Sequence, residues 1–467
     1  MTSSSLTAPP PAATGSRART ALLLASGGTF LSFLDATVTN LAVPPIGAEF
    51  DLSITSLAWV VTAYAIPFAA LLAPAGAIAD AVGRVRLYLG GLTLFTIASL
   101  VATVAPSFEV LVGARAAQGV GAALLVPASL GLLLAEIPAE RRQAAIGAWS
   151  AVGALAAGIG PVLGGVGVEW FDWRVLFVVN VPVGLALLWV GRSMVAGETR
   201  GGRAPELLGS LLLAAAVAAA VYAVTEGPER DWDGYVWAWV GVAVVALLAV
   251  VARSRRHERP ALRLDLLRGR TFATATGVSV AYGAVLYGTM LLGVLLLTGL
   301  WGYSALEAGA GMTPCAIVVA VVGIGLGRLP RKPAARTLIV SGLVLISLST
   351  GIIALALSST PAFWTLWVPT GVVLGVGIGL ATVGISSAAA LSVQPVHFAA
   401  ATGLVMAARQ VGGALGVAGL AVVLASAAPG PDAYSWIYLA AAVVPLLAAL
   451  AALGIRTATP PASPSAA

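Results

Sequence analysis

Apolar stretches of about 20 residues, the length needed to cross a bilayer as a helix, recur along the chain between short segments that collect Arg, Asp, Glu, Pro and Gly. Fourteen stretches qualify: 20–44, 55–78, 86–105, 108–135, 142–167, 174–195, 206–225, 235–252, 272–299, 306–327, 336–357, 362–391, 398–427 and 433–454. An even number of crossings puts both chain ends on one side. The pattern predicts an all-α polytopic membrane protein.

The basic residues test this count, because cytoplasmic loops of membrane proteins are enriched in Lys and Arg. Placing the amino terminus inside puts 21 of the 25 basic residues in inner segments; the exceptions are Arg174 and Arg230 outside, and Arg115 and Arg409 within spans. A missed helix would scramble that asymmetry. Both termini are therefore expected in the cytoplasm and the chain in the cell membrane as a multi-pass protein. The outer segment Glu226 to Asp233 is acidic. Residues 1–19 and 456–467, rich in Ser, Ala, Pro and Thr, are expected to be disordered tails.

Composition narrows the function. The chain is 59% hydrophobic and only 9% charged, far from the roughly 25% charged of soluble domains. Its isoelectric point near 9.8 reflects the inner-leaflet bias and calls for no nucleic-acid partner. A single cysteine, Cys315, excludes an internal disulfide and a thiolate metal cluster. No Gly-x-x-x-x-Gly-Lys-Ser/Thr phosphate loop and no Gly-x-Ser-x-Gly elbow occurs, and both histidines, His257 and His397, fall at inner loops. We expect no enzyme, no metal and no cofactor.

One carboxylate breaks the first apolar run. Asp35 lies among apolar, small and hydroxylic residues, where a charge costs about 2.5 to 3.5 kcal/mol at the helix centre. It needs a partner or a use. In the fourth span Arg115 and Gln118 share a helical face by their i, i+3 spacing. Counted from Phe108, Arg115 lies roughly 10 Å deep, and Asp35 about 13 Å deep counted back from Pro44, at 1.5 Å of rise per residue. The two charges are thus expected to pair, directly or through Gln118 or water. Such a pair is either a static brace or a proton switch, since burial favours the protonated acid and a nearby guanidinium favours the carboxylate.

Several stretches carry a family resemblance. Gly76-Ala-Ile-Ala-Asp80-Ala-Val-Gly83-Arg84, between spans two and three, resembles the signature loop of the major facilitator superfamily. Leu34-Asp-Ala-Thr-Val-Thr-Asn-Leu-Ala-Val-Pro44, Trp173-Arg-Val-Leu-Phe-Val-Val-Asn180-Val-Pro182-Val-Gly184 and Ala408-Arg-Gln-Val-Gly-Gly-Ala-Leu-Gly416 are similar to stretches of its fourteen-helix drug:proton antiporter branch. Span five, with Gly153, Gly160, Pro161 and Gly164, resembles that branch's antiporter helix, which implies export. Ala81 and Val85 stand where the signature loop is usually basic, and the corresponding loop Gly327–Pro333 lacks an acid.

The resemblance implies a major facilitator fold: a six-helix bundle over 20–200, two inserted helices over 201–255, and a second six-helix bundle over 256–455 that opens with a basic cytoplasmic linker. It also implies proton coupling through Asp35 and Arg115, and a cytoplasmic gate of Gly76, Asp80, Gly83 and Arg84. Cavity candidates, chosen as polar or aromatic side chains within spans, are Asn40, Tyr64, Gln118, Trp149, Asn180, Tyr282, Tyr287 and Arg409. Arg409 could attract an anion or tune Asp35 from the opposite half. Ser304 and Glu307 read as a capping box at the start of span ten, not as a second membrane acid.

The expected function is a proton-driven antiporter, monomeric, exporting amphipathic drugs, cationic ones among them, by alternating access. One proton entering gains about 2.3 kcal/mol per 100 mV, enough for a roughly fiftyfold solute gradient. A dedicated exporter of an endogenous metabolite and a proton-coupled importer are the alternatives.

Overall fold

The structure, a computed structural model, describes residues 15–52, 54–196, 198, 206–227, 230–257, 260, 263–426 and 430–455. Most of the two expected tails, 1–14 and 456–467, and the inner-loop residues Arg200, Arg203 and Arg259 lie outside these residues. Within them, fourteen helices are long and apolar enough to cross a membrane. They are built on α1 (Gly15–Phe50), α2 (Ile54–Val82), α3 (Arg84–Thr103), α4 (Phe108–Glu136), α5 (Arg142–Trp170), α6 (Asn180–Val195, which with the helical turn before it makes the span Val175–Val195), α7 (Leu207–Glu226), α8 (Gly234–Ser254), α9 (Arg270–Leu295), α10 (Ala305–Arg328), α11 (Ala335–Ala356), α12 (Val368–Leu391), α13 (Phe398–Ser426) and α14 (Pro431–Ala452). A helix satisfies its own backbone polar groups, which lipid cannot do. Among the described residues the chain is an all-α, multi-pass membrane protein.

Two boundaries differ from the sequence reading in instructive ways. α1 begins at Gly15, inside the segment expected to be a tail, and runs through Pro44 and Pro45 to Phe50. Proline removes only its own N–H donor, and the projecting end is fastened from outside: Trp173 Nε1 donates to Glu49 at 2.7 Å and Arg174 bonds the same carboxylate at 2.5 Å. Between α2 and α3 the expected loop shrinks to one residue, Gly83, with φ 125°. A side chain there would be strained and would meet the Glu198 carboxyl at 2.7 Å. Gly76 lies within α2, as the span 55–78 implies, and a Cβ on it would run into the carbonyl of Ala399 on α13.

α1 to α6 pack as one bundle and α9 to α14 as another, joined along two seams, α2 against α13 and α5 against α10. Each seam is the other's counterpart when the halves are superposed in order, as in transporters built from repeats. Small residues make the seams close, the usual device where lipid gives no hydrophobic drive to helix association. α5 shows it on two faces. Gly153 and Gly164 lie against Thr29, Phe33 and Val38 of α1, and Gly160 against Thr37, while Gly147, Gly158 and Pro161 lie against Gly323, Ala316 and Gly309 of α10.

α7 and α8 pair with each other, and α7 also lies on α2 and α13, flanking a seam. α8 turns Val245 and Leu248 outward, 67% and 62% exposed, as lipid-facing side chains. Ser304 and Glu307 form the expected capping box at the start of α10.

A Cβ at Gly323 would meet the Gly147 carbonyl at 2.7 Å and the Ala151 side chain at 2.9 Å, whereas one at Gly325 would meet nothing. Gly323→Val should therefore destabilise the α5–α10 seam by about 1 to 3 kcal/mol, the usual range for overpacking. Gly325→Val should be near neutral. Thermal melts of the two variants in detergent check this, and equal melting temperatures would refute the seam.

Candidate functional site

Five helices of the first bundle converge on Asp35. Its backbone sits in α1, where Thr39 Oγ1 donates back to the Asp35 carbonyl at 2.7 Å. The i, i+3 spacing on α4 sends Arg115 and Gln118 to the same side, as read from sequence. Arg115 Nη1 reaches Asp35 Oδ2 at 2.5 Å and Gln118 Oε1 at 2.8 Å, while its Nε donates to the Val60 carbonyl of α2 at 3.0 Å. Gln118 Nε2 donates to Asp35 Oδ1 at 3.0 Å and to Ser99 Oγ of α3 at 2.8 Å. Asn180, the first residue of α6, donates to Asp35 Oδ1 at 2.8 Å.

The carboxylate thus accepts from three side chains, and both charges are fully buried, each side chain 0% exposed. The ring of Tyr64 lies 4.7 Å from the guanidinium carbon and that of Phe177 5.6 Å, distances at which an aromatic face attracts a cation. A buried ion pair is weak evidence for stability, because desolvation offsets most of the attraction. This one is also not fully satisfied: Arg115 Nη2 and Asn180 Oδ1 are buried without partners. Chemically, the centre can hold a carboxylate against a guanidinium, or a neutral carboxylic acid once the two are drawn apart and a proton is taken up.

The expected pairing of Asp35 with Arg115 is present and direct. Tyr64, Gln118 and Asn180, chosen as cavity candidates, belong to this buried centre. Asn40 is exposed on α1 and is not part of it. Trp149 is 4% exposed and donates to Ser129 Oγ at 3.1 Å, knotting α5 to α4. Tyr282, Tyr287 and Arg409 lie in the second bundle. Tyr282 and Thr382 share a hydrogen bond at 2.5 Å, Tyr287 donates to Gln410 at 2.5 Å, and Arg409 is half-buried.

At the face carrying the chain ends, Asp80 holds the two bundles together. Its oxygens accept from the backbone N–H groups of Ala399 at 3.2 Å and Ala400 at 2.7 Å, at the start of α13. A carboxylate there satisfies orphan donors and complements the helix dipole. Arg84 pairs with Asp80 at 2.7 Å and donates to the carbonyls of Gly131 at 3.2 Å and Pro395 at 2.5 Å. Asp80 and Arg84 therefore do form a clasp across the halves, with Gly76 and Gly83 shaping it as described above.

The second half lacks a matching acid. Lys332 there folds back on the carbonyls of Leu326, Gly327 and Leu329 at the end of α10, and Gln143 of α5 donates to Pro333 at 2.9 Å. The clasp is asymmetric.

Sequence reasoning missed Ser99, the Val60 carbonyl, Phe398 and Glu198. Phe398 lies under both Arg84 and Arg142, 5.8 and 5.0 Å from its ring centre. Glu198 accepts from the Val85 N–H at 2.6 Å and so caps α3 beside Gly83. An acid following a helix that ends near a glycine-broken turn is a weak signal for such a cap. Nothing in the sequence signals the other three.

Comparison with known proteins agrees with the geometry. Residues 25–417 match the family described as Major Facilitator Superfamily. The chain is 32% identical to the methylenomycin A resistance protein of Streptomyces coelicolor over 428 residues, covering 91% of this chain and 90% of that one. It is 34% identical to the multidrug resistance protein Stp of Mycobacterium tuberculosis over 410 residues, 86% of this chain and 75% of the other. Among solved structures, that of the human organic anion transporter MFSD10 superposes with a TM-score of 0.67 at 14% identity, over 95% of this chain and all of the other.

Proposed function

The chain belongs to the Major Facilitator Superfamily and is a membrane transporter, and from that premise we propose that it is a proton-driven antiporter exporting amphipathic small molecules across the cytoplasmic membrane. Antibiotic and multidrug resistance in the names of its relatives supports drug export. The observation that carries the coupling is the Asp35–Arg115 pair, fully buried and held by Gln118 and Asn180. An ionisable group inside a membrane bundle is expensive to keep and marks ion or proton pathways.

In this reading the face with the chain ends is cytoplasmic, as the distribution of Arg and Lys supports. The clasp of Asp80 and Arg84 on α13 then closes the cytoplasmic side. Rocking of the bundles about the glycine seams opens one side as it shuts the other. Movement that parts Asp35 from Arg115 leaves a buried carboxylate without its counter-charge, so it takes a proton from the outer side. Renewed pairing releases that proton inward, and the export of one cargo molecule is tied to the cycle.

Everted vesicles test this. With the membrane energised so that the lumen is acidic, adding a transported amphiphile should release luminal protons in vesicles carrying the protein and leave control vesicles unchanged. A cargo accumulated without any proton movement would overturn the coupling. Luminal protons leaving together with cargo lost from the lumen would make the protein an importer.

A further inference from the structure

Of the two arginines in the middle of spans, Arg409 is the one that forms no ion pair among the described residues. Arg115 has Asp35, and at the membrane faces Arg84 has Asp80 and Arg174 has Glu49. Arg409 lies eleven residues into α13, which begins at Phe398, about 16 Å deep by helical rise. Its Nε is buried without a hydrogen-bond partner. A cation at this depth faces the bundle interior and pairs with something.

The surroundings show where that partner would sit. α9 presses so closely on the α13 backbone that a Cβ at Gly283 would run into the Arg409 carbonyl, and one at Gly412 into the carbonyl of Val280. Gly413 of α13 lies against the Tyr287 ring of α9, so α9 and α13 both contribute. α10 and α13 are the helices that form the seams with the first bundle. The cluster therefore lies on a helix that packs against both halves.

Its polar atoms are mainly donors. Tyr287 gives its proton to Gln410 Oε1, which leaves the Gln410 amide N–H groups for another acceptor. Asp35, the acid buried in the first bundle, is already bonded by Arg115, Gln118 and Asn180. A planar guanidinium beside an amide and a phenol ring is suited to bind an anionic oxygen on an aromatic or aliphatic body, and it repels a cation.

We infer that Arg409, with Gln410 and the Tyr287 ring, is a binding site for an acidic oxygen of the cargo, so that the protein selects amphiphilic acids and zwitterions over cationic amphiphiles. This deepens the transport reading and rests on it for the word cargo. Binding itself is independent of proton coupling, so its test is too.

The test uses the purified full-length chain in detergent and two fluorescent probes of matched shape, dansylglycine, which carries a carboxylate, and dansylglycinamide, which does not. Energy transfer from the protein's tryptophans reports binding. The wild type should bind the acid at least tenfold more tightly than the amide; Arg409→Gln should lose that preference and Arg409→Lys should keep part of it. Asp35→Asn should retain the preference even where transport is gone, which separates failure of this site from failure of the coupling reading. Equal affinity of the wild type for the two probes, no binding of the acid, or an undiminished preference in Arg409→Gln would each overturn the assignment. If Arg409→Gln does not yield a monodisperse protein, Gln410→Leu replaces it, and an unchanged preference there together with none lost in Arg409→Lys would count against the site.

Discussion

Asp35→Asn is expected to reduce proton-coupled export to the level of membranes without the protein. Asparagine keeps an oxygen for the Gln118 and Asn180 amides, now bonded to Asp35 Oδ1, but it can neither take up a proton nor balance Arg115. The second loss also has a cost in stability: removing one member of a buried ion pair typically destabilises by about 3 to 5 kcal/mol, because the remaining charge is stranded. Lost transport in the single variant could therefore reflect a weakened fold. The double variant Asp35→Asn with Arg115→Met resolves this, since replacing both charges by groups of similar size is often neutral or stabilising. We expect the double variant to melt near the wild type and still not exchange cargo for protons in everted vesicles. Export at the wild-type rate by either variant would remove Asp35 from the coupling step.

Asp80→Ala should release the clasp. The carboxylate accepts from the N–H groups of Ala399 and Ala400 and pairs with Arg84. A hydrogen bond to a charged group is worth about 1.5 to 3 kcal/mol, so the amides at the start of α13 should exchange with deuterium roughly ten- to a hundredfold faster in the variant. The Gly131 and Pro395 carbonyls that now accept from Arg84 should hold the arginine less firmly once its acid is gone, and segments 72–84 and 395–403 should loosen together. Transport should fall with the closed state, while cargo binding persists. Exchange at the wild-type rate across both segments, with transport unimpaired, would show that the halves are held by the glycine seams alone.

The sequence made the pairing at the centre legible for a physical reason. A charge within an apolar run stands out because it is costly there, and helical rise converts position into depth, so Asp35 and Arg115 could be matched without knowing how the helices turn. Gln118 followed from spacing on the same helix. Asn180 was visible as a polar residue in a span, but its partner was not, because rotation of α6 about its axis is set by packing across the bundle. Ser99 gave no signal at all: a membrane-helix serine most often bonds its own preceding turn, and Ser99 does donate to Phe95 while also accepting from Gln118. Asn40 looked like Asn180 in sequence and points outward.

Helix ends were legible to within a few residues except where tertiary contacts overrode local preference. Pro44 reads as a stop, yet α1 continues because Glu49 is anchored by Trp173 and Arg174 from the connection between α5 and α6. The turn at Gly83 was recognisable, but its second support, Glu198, lies more than a hundred residues away in sequence. Long-range caps of that kind leave no periodic trace.

Counting protons released when cargo binds the purified protein, in weakly buffered detergent solution with a pH indicator, tests the central claim most directly. The account predicts release that rises with the amount of cargo bound and saturates with it in the wild type, and none in the Asp35→Asn, Arg115→Met variant despite measurable binding. Equal release from both proteins, or saturating binding to the wild type with no release at any pH, would contradict a proton held by Asp35.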